Sequence, residues 1–384
     1  MKKISIVSGS RAEIDLIIQL LLKFEKSKKF QLQIILTGAH LAKDYGNTFT
    51  NIKKYNFSNV TKVDIEINKS STKQILKSIS LGVSKFSSTL HRYNPDLIII
   101  PGDRYEMIAV GICAHFMNIR IAHIFGGDVT NGSLDDSIRH CLTKLSDYHF
   151  VTSKESKKRV MQLGEINKNI FLVGNPGLDS IKKINFLDKK YFEKKYLIKF
   201  KKQIAFVTIH PDASNRSSTI KLTENLLKAL IELKDFTLIF SKPNADIYSD
   251  EVMSRIKKFV YENNNAYYFD NLGHQKFLSL LKLSNFMIGN SSAGLSEMPY
   301  FRKPTINIGE RQDGRIKPKS VLDCKPIHKD IKKTIKSALN KKFIMKLKSQ
   351  KYHLGYFGAS NKIYQIISSI NFKKNKQYKR FIDL

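Results

Sequence analysis

Aspartates gather where apolar runs stop. Asp103 lies in PGDRYE (101–106), directly after DLIII; Asp128, Asp135 and Asp136 lie in HIFGGDVTNGSLDDSIRH (123–140), which takes over from IRIAHIF. An apolar run that closes into glycine and a carboxylate is how a buried strand ends at a binding crevice. Several carboxylates near one crevice suit proton abstraction and delivery. Asp103 reads equally as the N-cap of the next helix, and Asp135 as a cap of the helix that follows its loop. His123 and His140, in the same stretch, fit a structural role as well as a chemical one. Three aspartates in one loop also raise a divalent cation, but they lack the regular spacing of a ligand set, so no metal is expected.

A second kind of residue, suited to holding an anion, recurs at other strand ends. GSRAE (9–13) follows KISIVS; Gly9 permits a tight turn into a helix N-terminus, and Arg11 adds a charge-assisted clamp. The stretch is not a GxGxxG, so no dinucleotide is inferred. IHPDAS (209–214) offers His210 as a phosphate donor or acid, with a buried structural histidine as the plainer reading. In GNSSAGLSE (289–297) the small residues Ser291, Ser292 and Gly294 let backbone N–H groups approach a phosphate. Glu297, further along, is placed to accept from a ribose diol. GERQDGR (309–315) supplies Arg311 and Arg315 to close on an anion.

The elements that must position these groups are short apolar runs alternating with amphipathic segments. The runs are 3–8, 32–37, 96–101, 119–125, 148–153, 169–174, 204–209, 236–241, 286–289 and 305–309. Most are continuously apolar rather than alternating, as in strands covered on both faces of a parallel sheet. Helical patterns such as 14–26 and 71–93 lie between them, which predicts right-handed βαβ units in doubly wound sheets. The alternation restarts after GNPGLDSIKK (174–183) and a Lys-rich helical stretch over 185–203. The expected fold class is therefore α/β, with two Rossmann-like domains facing across a cleft. The expected division is 1–178 for the first domain and 179–360 for the second. A C-terminal helix and basic tail, 361–384, would pack back on the first domain with its lysines in solvent.

Composition fits this reading. The chain has 384 residues, 42% of them hydrophobic, enough for two cores. No 18-residue apolar run is present, so no membrane span is expected. The apolar run in MKKISIVSGS is too short for a signal peptide and reads as a first strand. Cys113, Cys141 and Cys324 are odd in number and far apart, which suits a reducing cytoplasm rather than a disulfide framework. The net charge of +33 invites a nucleic-acid partner, yet only 12 of the 66 basic residues are arginine and the lysines are spread along the whole chain. Base readers favour the planar fork of Arg. A diffuse lysine excess is better read as compositional bias, and no nucleic-acid partner is expected.

Together the motifs GSRAE, TGAHLAKDYGNT (37–48), PGDRYE, HIFGGD, DDSIRHCLTKLS (135–146), QLGE (162–165), GNSSAGLSE and INIGERQDGR resemble the hydrolysing UDP-N-acetylglucosamine 2-epimerases of sialic- and legionaminic-acid pathways. The resemblance covers nearly the whole chain. It implies a glycosyltransferase-B-like fold, a nucleotide-sugar substrate, no metal or redox cofactor, and a homodimer or homotetramer. The implied reaction removes the C2 proton while UDP leaves, then hydrates the resulting 2-acetamidoglucal to give free N-acetylmannosamine. Carried over by motif, Asp103 and Asp135 are the acid/base candidates. Arg11, His210, Ser291, Ser292 and Arg311 would hold the diphosphate, Glu297 the ribose and Phe277 the uracil.

The resemblance also exposes a departure. Family members commonly carry Glu at the position of Phe125, or a polar residue there with Glu at the position of Asp128. Phe cannot transfer a proton, and Asp128 reaches about 1.5 Å less than Glu. Either Asp128 takes over as a catalytic group or the substrate differs. An apolar residue at the sugar end suits a 6-deoxy sugar, so a UDP- or GDP-linked diacetamido-trideoxyhexose is an alternative substrate. A glycosyltransferase that shares the fold and an inactive nucleotide-sugar sensor are the competing readings.

Overall fold

A computed structural model describes residues 1–42, 52–67, 71–130, 134–212, 215–243, 247–349, 357–372 and 379–382; of Arg11, only the backbone is described. The chain forms two compact units, Met1–Asp128 with Leu134–Lys183 and Leu354–Leu384, and Val129–Ser133 with Ile184–His353.

The first unit is built on seven parallel strands: β1 (Lys2–Ser8), β2 (Phe30–Thr37), β3 (Val60–Val63), β4 (Leu97–Pro101), β5 (Arg120–Ile124), β6 (Tyr148–Val151) and β7 (Ile170–Leu172), in the order β3-β2-β1-β4-β5-β6-β7. Between them run α1 (Arg11–Glu25), α2 (Thr72–Tyr93), α3 (Tyr105–Phe116), α4 (Leu134–Leu145) and α5 (Lys154–Gln162), with α6 (Gly177–Lys183) following β7. Both faces of the sheet are covered. Ile4, Ile6, Leu97 and Ile99 point into one core with Ile17, Leu21 and Phe24 of α1. Val7, Ile98 and Ile100 point into the other, with Phe86 and Leu90 of α2 and Met107 and Val110 of α3. This two-sided burial is why the strands read as unbroken apolar runs.

The second unit repeats the plan with six parallel strands: β8 (Gln203–Thr208), β9 (Phe236–Ser241), β10 (Ala266–Phe269), β11 (Phe286–Gly289), β12 (Thr305–Ile308) and β13 (Val321–Cys324), in the order β10-β9-β8-β11-β12-β13. Its helices are α7 (Lys189–Tyr196), α8 (Arg216–Ile231), α9 (Ser249–Glu262), α10 (Gly273–Leu283), the single turn α11 (Ala293–Ser296), α12 (His328–Ala338) and α13 (Lys341–Lys348). The Lys-rich stretch read as helical over 185–203 is helix only for α7, because β8 has begun by Gln203.

The chain then returns to the first unit with α14 (Ala359–Ser369), whose Ile363 and Ile367 are buried beside α1. The basic tail is not wholly solvated as expected. Lys379 Nζ donates to the carbonyls of Lys144 at 2.7 Å and Ser146 at 2.6 Å, and sits 2.6 Å from Glu165 Oε2.

In each sheet the strand order reverses once, between β1 and β4 and between β8 and β11. Ligands of open α/β sheets bind outside the carboxyl ends of the strands at such a reversal. The motifs singled out in the sequence lie at these two places.

Candidate functional site

In the first unit the chain leaves β4 through Gly102, whose φ of +82° is left-handed, and whose N–H donates to Ile124 O at 3.1 Å. Glycine adopts that conformation without steric cost, and the turn delivers Asp103 to the sheet edge. Asp103 does not cap α3; the N-cap residue is Arg104, with no side-chain cap bond. Its carboxylate is instead ion-paired with Arg139 of α4. Arg139 is only 2% exposed and also donates Nη1 to Asp128 O at 2.8 Å and to Asp136 Oδ1 at 2.7 Å. Burial opposes the charge of the guanidinium, but Asp103, Asp128 and Asp136 more than restore it, so its pKa ends above the ordinary value. One arginine thus gathers three of the four aspartates. It stood in the motif DDSIRH without being given a role.

Asp135 and Asp136 occupy the first turn of α4, where the helix dipole favours negative charge. Asp135 is inside the helix, which begins at Leu134, rather than capping it. Asp128 Oδ1 accepts from Ser156 Oγ in the first turn of α5 at 2.6 Å and from Thr152 Oγ1 in the β6–α5 turn at 3.2 Å. His123 is fully buried, with Nε2 2.9 Å from Gly102 O and Nδ1 3.3 Å from Thr143 Oγ1. A carbonyl can only accept, so Nε2 carries the proton. Burial lowers the imidazole pKa to about 4, so it is neutral near pH 7 and acts as a post beneath the Asp103 turn.

Phe125 lies one residue beyond β5, not at its last position, with a left-handed φ of +73°. Its N–H donates to Phe150 O at 3.1 Å, and its ring packs against the apolar cluster that includes α1 and α14. The ring is partly buried there.

A buried cluster that the sequence reading missed lies under the adjoining strand ends. Glu13 Oε2 accepts from Gly9 N at 2.7 Å and Ser10 N at 3.1 Å, and Ser10 returns a bond to Glu13 N, completing a capping box on α1. Glu106 is fully buried, with Oε1 2.9 Å from Arg104 Nε. Ser-x-x-Glu in GSRAE was the available signal for the first of these. The side chain of Arg11 lies outside the described residues, as do 43–48 of the motif TGAHLAKDYGNT.

In the second unit Asn290, directly after β11, joins the two strand ends. Its Oδ1 accepts from His210 N at 2.7 Å, and its Nδ2 donates to His210 O at 2.8 Å. Its carbonyl accepts from Gln312 Nε2 at 2.8 Å and Arg311 Nη1 at 3.4 Å. Thus His210, Ser291 and Arg311 are brought together by Asn290 and the fully buried Gln312, neither of which was singled out. Burial, then the charge of Arg311, drives the His210 pKa well below its ordinary value, so His210 is a neutral donor rather than a cation.

Gly289 admits no side chain; with φ +137°, a Cβ there would lie 1.9 Å from Thr208 O. Gly294 likewise lets α11 close on β12, where Thr305 Oγ1 donates to Gly294 O at 2.7 Å. Since α11 is one turn long, Ser291 and Ser292 present their own hydroxyls and N–H groups more than a helix dipole. Ser291 Oγ accepts from Ala293 N at 3.4 Å, while Ser292 makes no side-chain cap bond. Glu297 ends that turn. Burial raises its carboxyl pKa, against a bond from Ser296 and the nearby His274 and Arg315. Arg315 donates Nε and Nη2 to Thr130 Oγ1 at 3.0 and 2.9 Å. Phe277 of α10 stands edge-on to Phe206 of β8, with centroids 5.4 Å apart.

Among the described residues no helix is long and apolar enough to cross a membrane, and no three His, Cys, Asp or Glu side chains group as metal ligands would.

Residues 22–368 match the family described as UDP-N-acetylglucosamine 2-epimerase. The chain is 42% identical over 323 residues to a GDP/UDP-N,N'-diacetylbacillosamine 2-epimerase (hydrolyzing) of Campylobacter jejuni, covering 84% of each chain. It is 36% identical over 386 residues to the polysialic acid biosynthesis protein P7 of Escherichia coli, covering 100% of this chain and 98% of that one. The solved UDP-GlcNAc 2-epimerase of Neisseria meningitidis, bound to UDP-GlcNAc, superposes with a TM-score of 0.82 at 16% identity, over 96% of this chain and 99% of that one. The fold is thus the glycosyltransferase-B-like one. The chain belongs to the UDP-N-acetylglucosamine 2-epimerase family and is an enzyme of the hydrolysing 2-epimerase type.

Proposed function

We propose that the protein converts a nucleotide-activated 2-acetamido sugar to its free 2-epimer and the nucleoside diphosphate. The observation that carries this is the gathering of Asp103, Asp128 and Asp136 around the buried Arg139, with Asp135 in the same helix turn. A base takes the C2 proton as the C1–O bond to the diphosphate breaks, leaving a 2-acetamidoglucal. Protonation at C2 from the opposite face and addition of water at C1 complete the 2-epimer. The C2 proton is barely acidic, so abstraction needs a fixed carboxylate together with a stabilised leaving group.

Asp103 is assigned as the base, and Asp135 with Asp128 as the acid/base partners for hydration. Arg11, His210, Ser291, Ser292 and Arg311 are assigned to the diphosphate, Glu297 to the ribose and Phe277 to the base. The neutral His210 suits a hydrogen-bond donor to phosphate. No metal or redox cofactor enters these steps.

With UDP-N-acetylglucosamine as substrate the product is N-acetylmannosamine. A second substrate reading, a UDP- or GDP-linked N,N'-diacetylbacillosamine, is favoured by the name of the 42% identical relative. An NMR time course in D2O with each sugar nucleotide separates them. The expected result is a free manno-configured sugar, deuterated at C2, with released nucleotide, from one of the three substrates. Release only in the presence of a sugar acceptor would make the protein a glycosyltransferase. Binding without release or C2 exchange would make it a sensor.

A further inference from the structure

Two buried carboxylates take no part in the steps above. Glu13 and Glu106 lie beneath the ends of three adjacent strands, β2, β1 and β4. Each strand ends in a glycine that accommodates them. A Cβ at Gly9 would lie 2.1 Å from Glu106 Oε1, one at Gly38 2.8 Å from the same atom, and one at Gly102 3.4 Å from Glu13 Oε1. Those three turns lead to Ser10 and Arg11, to His40, and to Asp103. Among the described residues, Glu13 Oε1 and Glu106 Oε2, both buried, have no hydrogen-bond partner. A buried oxygen left so costs about 1–3 kcal/mol, more if charged, and needs an explanation. Two buried carboxylates beside one arginine cannot both stay ionised cheaply, and a proton on Glu13 supplies a donor there.

We propose that Glu13 holds a proton beneath the strand ends beside Glu106, and that this protonated group is a positioning device for Asp103 and the Ser10–Arg11 turn. The proposal rests on the epimerase reading for the chemistry that Asp103 performs, but not for the proton. The described facing groups act in both directions. Arg104, from the turn before α3, pairs with Glu106 and balances the one remaining negative charge. Ser8 Oγ stands 3.4 Å from Glu13 Oε2 and 3.0 Å from His40 Nε2. Asp103 adds further negative charge. Burial, then the charge of Glu106, raises the Glu13 carboxyl from an ordinary 4.5 to about 8, opposed by Arg104 and the Gly9 N–H. At neutral pH the proton is in place. At alkaline pH it leaves, the two carboxylates repel, and the turns they brace move apart, with Asp103 carried on one of them.

The test compares Glu13→Gln, Glu13→Ala and the double variant Glu13→Gln/Glu106→Gln with the unaltered protein, each checked for folding by circular dichroism. Infrared spectra with isotope-labelled glutamate are taken without substrate. The unaltered protein should show a protonated carboxyl stretch at pH 7 that is lost above about pH 8 and absent from Glu13→Gln. In turnover, Glu13→Ala should lose roughly 10²-fold in kcat with little change in KM. Glu13→Gln, a neutral isostere, should recover most of that loss and remove the alkaline fall in kcat. The double variant strands Arg104 without an anion and should be impaired again. Absence of the carboxyl band at pH 7, or a Glu13→Gln as poor as Glu13→Ala, overturns the proposal. If no sugar nucleotide is turned over, the epimerase reading fails, while the band and its pH dependence still decide whether the proton is there.

Discussion

Asp103 and Arg139 are 36 residues apart in the sequence and form an ion pair in which the guanidinium is 2% exposed. The pair ties the end of β4 to α4, and through Asp136 and the Asp128 carbonyl it sets where the other carboxylates stand. Lys cannot reproduce three directed bonds from one rigid fork. Arg139→Lys is therefore expected to keep the fold yet lower kcat by roughly 10²-fold, because the carboxylates lose their fixed spacing. Asp103→Asn removes the proposed base outright and should cost about 10²–10⁴-fold in kcat with C2 deuterium exchange lost in parallel. Nucleotide release and exchange measured together check both. Asp103→Asn that retains exchange would move the base to Asp128 or Asp135.

Asn290 makes the corresponding junction in the second unit. Its side chain satisfies both the N–H and the carbonyl of His210, which is 7% exposed. In Asn290→Ala those two backbone groups lose their partner, at about 1–3 kcal/mol. The expected outcome is UDP affinity weakened about tenfold or more, since 1.4 kcal/mol is a factor of ten. Titration calorimetry with UDP reads this directly. Unchanged affinity would remove the β8 and β11 ends from the nucleotide site.

Acid stability turns on the far end of the chain. Burial alone would raise the Glu165 carboxyl, but bonds from His149, Lys144 and Lys379 outweigh it and bring the pKa from 4.5 to about 2. The folded value lies below the unfolded one, so this stabilisation is complete above about pH 4.5 and is lost as pH falls toward 2. His149, held neutral by burial, acts in the same direction, since only the unfolded chain takes up its proton readily. Glu165→Gln should lower Tm at pH 7, and its difference from the unaltered protein should shrink as pH drops below 4.5. Lys379→Ala should lower Tm at pH 7 as well. A thermal melt series from pH 3 to 7 measures this, and a constant difference across the series would refute it.

How much of this was legible follows from what each residue faces. The central strands are covered on both sides and wrote themselves as apolar runs. β3, β10 and β13, all sheet edges, did not, because VTKV and VLDC carry a Lys and an Asp that a half-covered edge tolerates. The strand-end motifs were legible because the reversal of strand order puts loops at those positions. Arg139, Asn290 and Gln312 were not legible as organisers. Each is a buried polar residue whose partners come from distant segments, and nothing local in the sequence marks that pairing. For Phe125, the position just beyond β5 was readable, but its packing against the first unit's core was not.

Gly127 joins local strain to the chemistry. It holds φ +77°, and a Cβ there would lie 2.2 Å from the backbone oxygen of Ser156. Neither side of that contact is a flexible side chain, so one backbone must move. Ser156 Oγ is 2.6 Å from Asp128 Oδ1, and Asp128 is the next residue after Gly127. Gly127→Ala should therefore disturb Asp128 from both directions and lower kcat roughly 10²-fold, the order expected for an ångström-scale displacement. UDP affinity, assigned mostly to residues of the second unit, should hold. Gly358→Ala is the control: φ is +99°, but among the described residues nothing lies within 4 Å of the added carbon. It should cost about 1–3 kcal/mol of stability from backbone strain and leave kcat in place. Equal losses of kcat in the two variants would mean that Gly127 acts through general destabilisation, and that Asp128 has no part in the reaction.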